Sequence, residues 1–145
     1  MIGLTDEQRV DIVRYRLENA KNTLAEVKSH RENGFYNTAV NRMYYACYYA
    51  ARAILIAYHV EAKTHEGVRQ QLGLNFVVTG KIPQEQGRFY SRLFSKRTTG
   101  DYDDFINHTA GTVDELFPQA QSFVDTIADL LNEWLEEQTL AIPKN

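Results

Sequence analysis

Between Met43 and Ala57 the chain leaves no stripe for solvent. Met43-Tyr44-Tyr45-Ala46-Cys47-Tyr48-Tyr49-Ala50-Ala51 is apolar or aromatic throughout, and beyond Arg52 follows Ala53-Ile54-Leu55-Ile56-Ala57. A helix that is apolar all round is stable in water only when neighbours enclose it. The segment from about Phe35 to Val60 is therefore predicted to be the central helix of a bundle. Its alanines let other backbones approach closely, while its tyrosines fill volume and bring hydroxyls that need partners. Cys47, the one cysteine of the chain, falls inside this helix as an inert thiol. A single cysteine excludes an internal disulfide framework and any multi-thiolate zinc site.

The enclosing helices are legible in the flanks. Thr5-Asp6-Glu7-Gln8 has the form of a capping box. Val10, Val13, Leu17, Ala20, Leu24 and Val27 then recur at spacings of three and four, one stripe on a helix of about seven turns. Asn33-Gly34 ends it. After the short link Glu61-Ala62-Lys63, Thr64 can cap a third helix running to about Val78, closed by Thr79-Gly80. Ile82-Pro83 opens a fourth, with Pro83 suited to the first helical position. Phe89, Tyr90, Leu93 and Phe94 form its apolar side, and Thr98-Thr99-Gly100-Asp101 is predicted to be a loop. Thr112-Val113-Asp114-Glu115 reads as a second capping box. Beyond it Val113, Phe117, Ala120, Val124, Ile127, Leu131 and Trp134 repeat the helical spacing. Pro118 inside that run predicts either a kink or a later helix start. The fold class is all-α, an up-and-down antiparallel bundle. A single domain over residues 1–145 is expected, with its core at about 5–138 and a frayed tail at 139–145.

Charge is distributed unevenly along this bundle. The net value is −3, which argues against a protein that coats polyanions wholesale. Yet residues 81–97 carry Lys81, Arg88, Arg92, Lys96 and Arg97 against Glu85 alone. From Thr98 to Pro143 there is no Lys or Arg, against ten Asp and Glu. Such asymmetry fits either an acidic helix that keeps the chain soluble, or an anion-seeking face paired with one that repels anions or docks on a basic partner. No apolar run approaches 18 residues, and Met1-Ile2-Gly3-Leu4 lacks the form of a signal peptide. The chain reads as soluble and cytoplasmic.

No phosphate-cradling glycine loop, nucleophile elbow or metal-binding histidine pair is present, so neither a metal nor a cofactor is expected. Four readings remain open. Arg88, Arg92 and Lys96, at four-residue spacing, form a solvated face or track an RNA backbone. Thr64 and His65 are a cap with a first-turn histidine bonded to a neighbouring carboxylate, or a phosphate-receiving helix start assisted by His65. Arg97, Asp101 and Tyr102 lock a loop, or contact a nucleotide through Arg97 with Tyr102 stacked on its base. Tyr44, Tyr45, Tyr48 and Tyr49 are packing or a stacking platform.

Several of these stretches, in order, resemble one known family. Tyr44-Tyr45-Ala46, Ala50-Ala51-Arg52-Ala53, Lys63-Thr64-His65-Glu66-Gly67-Val68, Gly80-Lys81-Ile82-Pro83, and Arg97 leading to Asp101-Tyr102-Asp103 resemble the HEPN domain, across about residues 10 to 135. The resemblance implies a bundle of four long helices and a short one, usually a homodimer. It also implies frequent pairing with a minimal nucleotidyltransferase in toxin–antitoxin or nucleotide-signalling systems. Many members are metal-independent ribonucleases whose Arg, followed after four to six residues by His, acts across the dimer. Arg would hold the scissile phosphate and His would move a proton. Here the three positions open to that His hold Tyr102, Asp103 and Asp104, while His108 lies too far along. Arg52 and His59 match the spacing, but on the wrong helix. In some family pairs the partner modifies a tyrosine near the motif, to which Tyr102 corresponds approximately. The expected function is the nucleotide- or RNA-binding, toxin-type half of a two-component system, with Arg97, Tyr102 and His65 as weak catalytic candidates. Two alternatives stand beside it: a non-catalytic module that binds a nucleotidyltransferase through its acidic last helix, and a nucleotide-binding regulator. Whether the chain is an enzyme stays open at this point.

Overall fold

The computed structural model describes residues 3–102 and 107–141, the side chains of 97–102 excepted. Every regular element among the described residues is helical: α1 (Asp6–Ala25), α2 (Val27–Glu32), α3 (Tyr36–Ala57), α4 (His65–Leu72), α5 (Gln84–Tyr102) and α6 (Ala110–Ala141). A π-helical turn, Gly73–Val77, extends α4. Helix α3 sits in the middle. It packs along α1 and α6, and α2, α4 and α5 cover its other sides. Tyr44, Ala46, Cys47, Ala50, Ala53 and Ile54 have no solvent exposure. The predicted stripe of α1 faces inward as a unit, from Val10 to Val27. Burial pushes the Cys47 thiol pKa far up, as suits a packing residue.

Local chemistry explains most helix boundaries. Thr5 accepts from the Gln8 amide at 3.1 Å while the Gln8 side chain accepts from the Thr5 amide at 3.0 Å, a complete capping box. The predicted seven-turn helix is interrupted at Glu26, whose amide bonds Thr23 three residues back at 3.2 Å. The buried stripe nevertheless continues through Val27, so the interruption leaves the packing face intact. Gly34 ends α2 at φ +77°, a left-handed conformation that costs glycine nothing.

Three further boundaries differ from the sequence expectation. The third helix changes to π-helical winding at Gly73, where Val78 donates to the Gly73 carbonyl five residues back. Asn75 contributes by donating to the Gln71 carbonyl at 2.8 Å, competing for the backbone acceptor. The loop predicted at Thr98–Asp101 is helical, with α5 continuing to Tyr102. Threonine and aspartate cost a helix only tenths of a kcal/mol each, and one glycine about 1 kcal/mol, too little to stop an established run. Finally, α6 starts one turn before the predicted box. Thr109, not Thr112, is the capping residue, and its hydroxyl accepts from the Thr112 amide at 3.2 Å. Pro118 then lies inside a continuous helix that runs to Ala141. At the junction, Gln119 donates its side-chain amide to the Glu115 carbonyl at 3.1 Å.

Two contacts fix the outer elements. Arg31 of α2 makes a two-pronged bond to Asp114 of α6, at 3.0 and 2.9 Å. The Arg31 guanidinium holds the Asp114 carboxyl below its usual range. Gly87 of α5 lies against Val77, where an added Cβ would come within 2.9 Å of a valine methyl.

The enclosure of α3 predicts that its alanines are fixed by space. Ala50→Leu is expected to destabilise the fold by about 1–3 kcal/mol through overpacking. Tyr15→Leu, at a site 71% exposed, should change stability by less than about 0.5 kcal/mol. Urea denaturation of both variants checks this, and equal effects would contradict the enclosure.

Candidate functional site

The first turn of α4 meets the tyrosine-rich middle of α3. Thr64 has an extended backbone and its hydroxyl accepts from the Gly67 amide at 2.8 Å, which directs the helix inward. His65 then falls among the tyrosines. Its Nδ1 lies 2.7 Å from the Tyr44 hydroxyl. Its ring stacks on Tyr48, with centroids 4.2 Å apart and planes 12° apart. Tyr45 presents its edge at 90° and 5.8 Å. On its other side Tyr44 meets Tyr90 and Phe94 of α5, at 6.0 and 5.9 Å. Burial, helped by the nearby Tyr44, pushes the Tyr90 phenol well above its ordinary pKa.

Among the described residues, the Tyr44 phenol is a partner of His65. The neighbouring carboxylate, Glu66, is held by Arg69 three residues on and also accepts from Gln70. The Arg69 guanidinium lowers the Glu66 pKa and is itself raised by it. Arg69 also reaches Ser91 of α5 at 3.4 Å and lies over the Phe94 ring. With Nδ1 engaged by the Tyr44 hydroxyl, the tautomer of His65 is coupled to that bond.

The predicted basic row does lie along one side of α5. Arg88 and Arg92 are exposed and Lys96 is half-buried. Arg88 bonds Gln84 at 3.3 Å on its own helix. Arg92 reaches across to Gln119 of α6 at 2.9 Å and covers the Phe89 ring. Neither amide removes positive charge. Residues 97, 101 and 102 continue the helical backbone, but the expected side-chain roles of Arg97, Asp101 and Tyr102 lie outside the described residues. Arg52 and His59 both line the cleft between α1 and the end of α3. Arg52 covers the Tyr48 ring at 5.6 Å, whereas His59 follows the end of α3 with a positive φ of 61°. His108, before α6, has its pKa lowered mainly by burial, and its amide donates to Asn37 at 2.7 Å.

The arrangement offers one positioned imidazole beside a helix whose outer face carries fixed cations. Sequence alone names His65, Thr64 and the row, but not the collar formed by Tyr44 and Tyr48 around His65. The collar joins residues 21 positions apart, and no periodicity links them. The one available signal is a set of tyrosine hydroxyls on an all-round apolar helix, each in need of a partner.

Known proteins resemble this chain in sequence. A family model for the HEPN domain matches residues 13–131. A UPF0332 protein of Thermotoga maritima is 33% identical over 126 residues, which is 87% of this chain and 96% of that one. A protein of Methanocaldococcus jannaschii named "Putative toxin MJ0605" is 34% identical over 119 residues, 82% of this chain and 88% of that one. A second from the same organism, "Putative toxin MJ0142", is 29% identical over 90 residues, 62% of this chain and 61% of that one.

Removing the Tyr44 hydroxyl tests the collar. Tyr44→Phe is expected to destabilise the fold by about 1–3 kcal/mol, because a partly buried ring nitrogen loses its partner. Nitrogen NMR of His65 should show a single tautomer in the parent and a mixture in the variant. Unchanged stability together with an unchanged tautomer would contradict the bond.

Proposed function

This chain belongs to the HEPN domain family, and from that premise we propose that it is the toxin-type half of a two-component system that binds RNA or a nucleotide. The observation that carries this reading is the opposition of charge on two neighbouring helices. Helix α5 turns Arg88 and Arg92 to solvent, with Lys96 half-buried in line. Helix α6 exposes Asp114, Glu115, Asp125, Asp129, Glu133, Glu136 and Glu137 and contains no Lys or Arg. A polyanion is drawn to the first surface and repelled by the second, so it is guided to one side of the bundle. His65, in its aromatic collar at the α4 start, is joined to the inner side of α5 through Tyr44 and its contacts with Tyr90 and Phe94. Two relatives named as toxins support the same direction.

In this reading a homodimer brings two α5 faces together, and the cations of the row hold phosphates of the ligand. His65 supplies the proton exchange for which the family motif has no histidine at 102, 103 or 104. The acidic α6 receives a basic partner, a minimal nucleotidyltransferase that neutralises the toxin. A second reading has a specific observation in its favour. Those three positions hold Tyr102, Asp103 and Asp104, which suits a non-catalytic module that acts by contact with its partner.

Controlled expression in a bacterial host tests the proposal. The parent chain is expected to arrest growth, and the Arg88→Gln, Arg92→Gln, Lys96→Gln triple variant to relieve the arrest. In vitro the triple variant should bind single-stranded RNA more weakly. Its log–log salt dependence should be shallower by about 0.7 for each phosphate that is no longer neutralised. Growth unaffected by the parent would contradict the toxin reading. RNA left intact without metal by both the parent and His65→Gln would favour the module.

A further inference from the structure

A second cationic site, separate from the α5 row, lies between α1 and the end of α3. The geometry points to this cleft as a binding site for a small phosphate-bearing molecule with an apolar body. Arg9 and Arg16, two helical turns apart on α1, reach it together with Arg52 of α3 and Lys63 of the α3–α4 link. Glu61 is the one acidic residue among its lining. The guanidinium groups are positioned without being neutralised. Arg9 donates to the Ile56 carbonyl at 2.7 Å, and Arg16 to the Arg52 carbonyl at 3.4 Å. Carbonyl dipoles of this kind orient a guanidinium fork and leave its charge intact.

Three further observations indicate a ligand and not a structural role. Among the described residues the ion pairs are Arg31 with Asp114 and Arg69 with Glu66, so no carboxylate there pairs with Arg9, Arg16 or Arg52. The Nε of Arg9 is buried and makes no hydrogen bond, an uncommon condition for a buried donor. Burial, together with the nearby charge of Arg52, lowers the pKa of Arg16. Like charges gathered in a recess oppose folding unless an anion joins them. The cleft holds about 660 Å³, far more than one phosphate fills and within the range of about 300–1,000 Å³ typical of ligand sites. Leu4, Ile56 and Val60, each part-exposed, line its apolar wall, against which a flat or aliphatic body can rest.

Isothermal titration of the full chain without metal, using ATP, AMP and inorganic pyrophosphate, tests this inference. ATP is expected to bind saturably at one site per chain. Arg16→Gln and Arg52→Gln should each weaken it by about tenfold or more, while Arg14→Gln, on the exposed side of α1, should leave it unchanged. Without ligand, Arg16→Gln should melt no lower than the parent, since it relieves like-charge crowding; a lower melting temperature would mean that Arg16 is structural and would overturn the assignment. Pyrophosphate binding as tightly as ATP would overturn the apolar body. Failure of all three probes at millimolar concentration would overturn the site. So would a dimer that dissociates in Arg16→Gln while no probe binds, because carboxylates of a second copy would then fill the cleft. None of these outcomes bears on growth arrest through α5, so the two proposals fail separately.

Discussion

A helix with no face for water must be surrounded, and α3 imposes that condition on the rest of the chain. Each other helix is one wall of its enclosure, with α1 and α6 along two sides and the shorter α2, α4 and α5 closing the remainder. The alanines set how near the walls come, and the tyrosines set where polar partners are required. The hydroxyl of the fully buried Tyr44 finds its partner in His65, so the demand of a packed tyrosine is what fixes the entry of α4. The bond ties the orientation of the histidine to the core.

The same enclosure separates structural from functional charge. Arg31 with Asp114 and Arg69 with Glu66 fasten outer helices and neutralise each other. Arg88 and Arg92 of α5, and Arg9 and Arg16 of the cleft between α1 and α3, have neutral amides or carbonyls as partners. Net charge alone conceals this. A chain at −3 still gathers positive charge in two places, while α6 carries seven of its nineteen acids and no Lys or Arg.

Periodicity makes much of the packing readable from the sequence. The α1 stripe, the general positions of the capping boxes and the all-round apolar α3 each depend on residues within one or two turns, and local pattern captures them. It fails where two local signals compete. Thr109 prevails over Thr112 as cap of α6, and Thr98-Thr99-Gly100-Asp101 carries a turn signal too weak to stop α5. The site is less legible. His65 and the basic row can be named from sequence. However, the Tyr44–His65 bond and the meeting of Arg9 and Arg16 with Arg52 depend on helices far apart in the chain. Family resemblance points to Arg97, whereas Arg9, Arg16 and Arg52 meet in a cleft at the end of α3.

The central claim is that α3 is the last element to gain access to water. Native-state hydrogen exchange measures this residue by residue. Amides from Ala46 to Ile54 are expected to exchange slowest in the chain, with an opening free energy equal to that of global unfolding measured independently. Amides of α5 and of the α4 start should open at lower energy. Exchange in the middle of α3 through a sub-global opening, ahead of α1 and α6, would contradict the account.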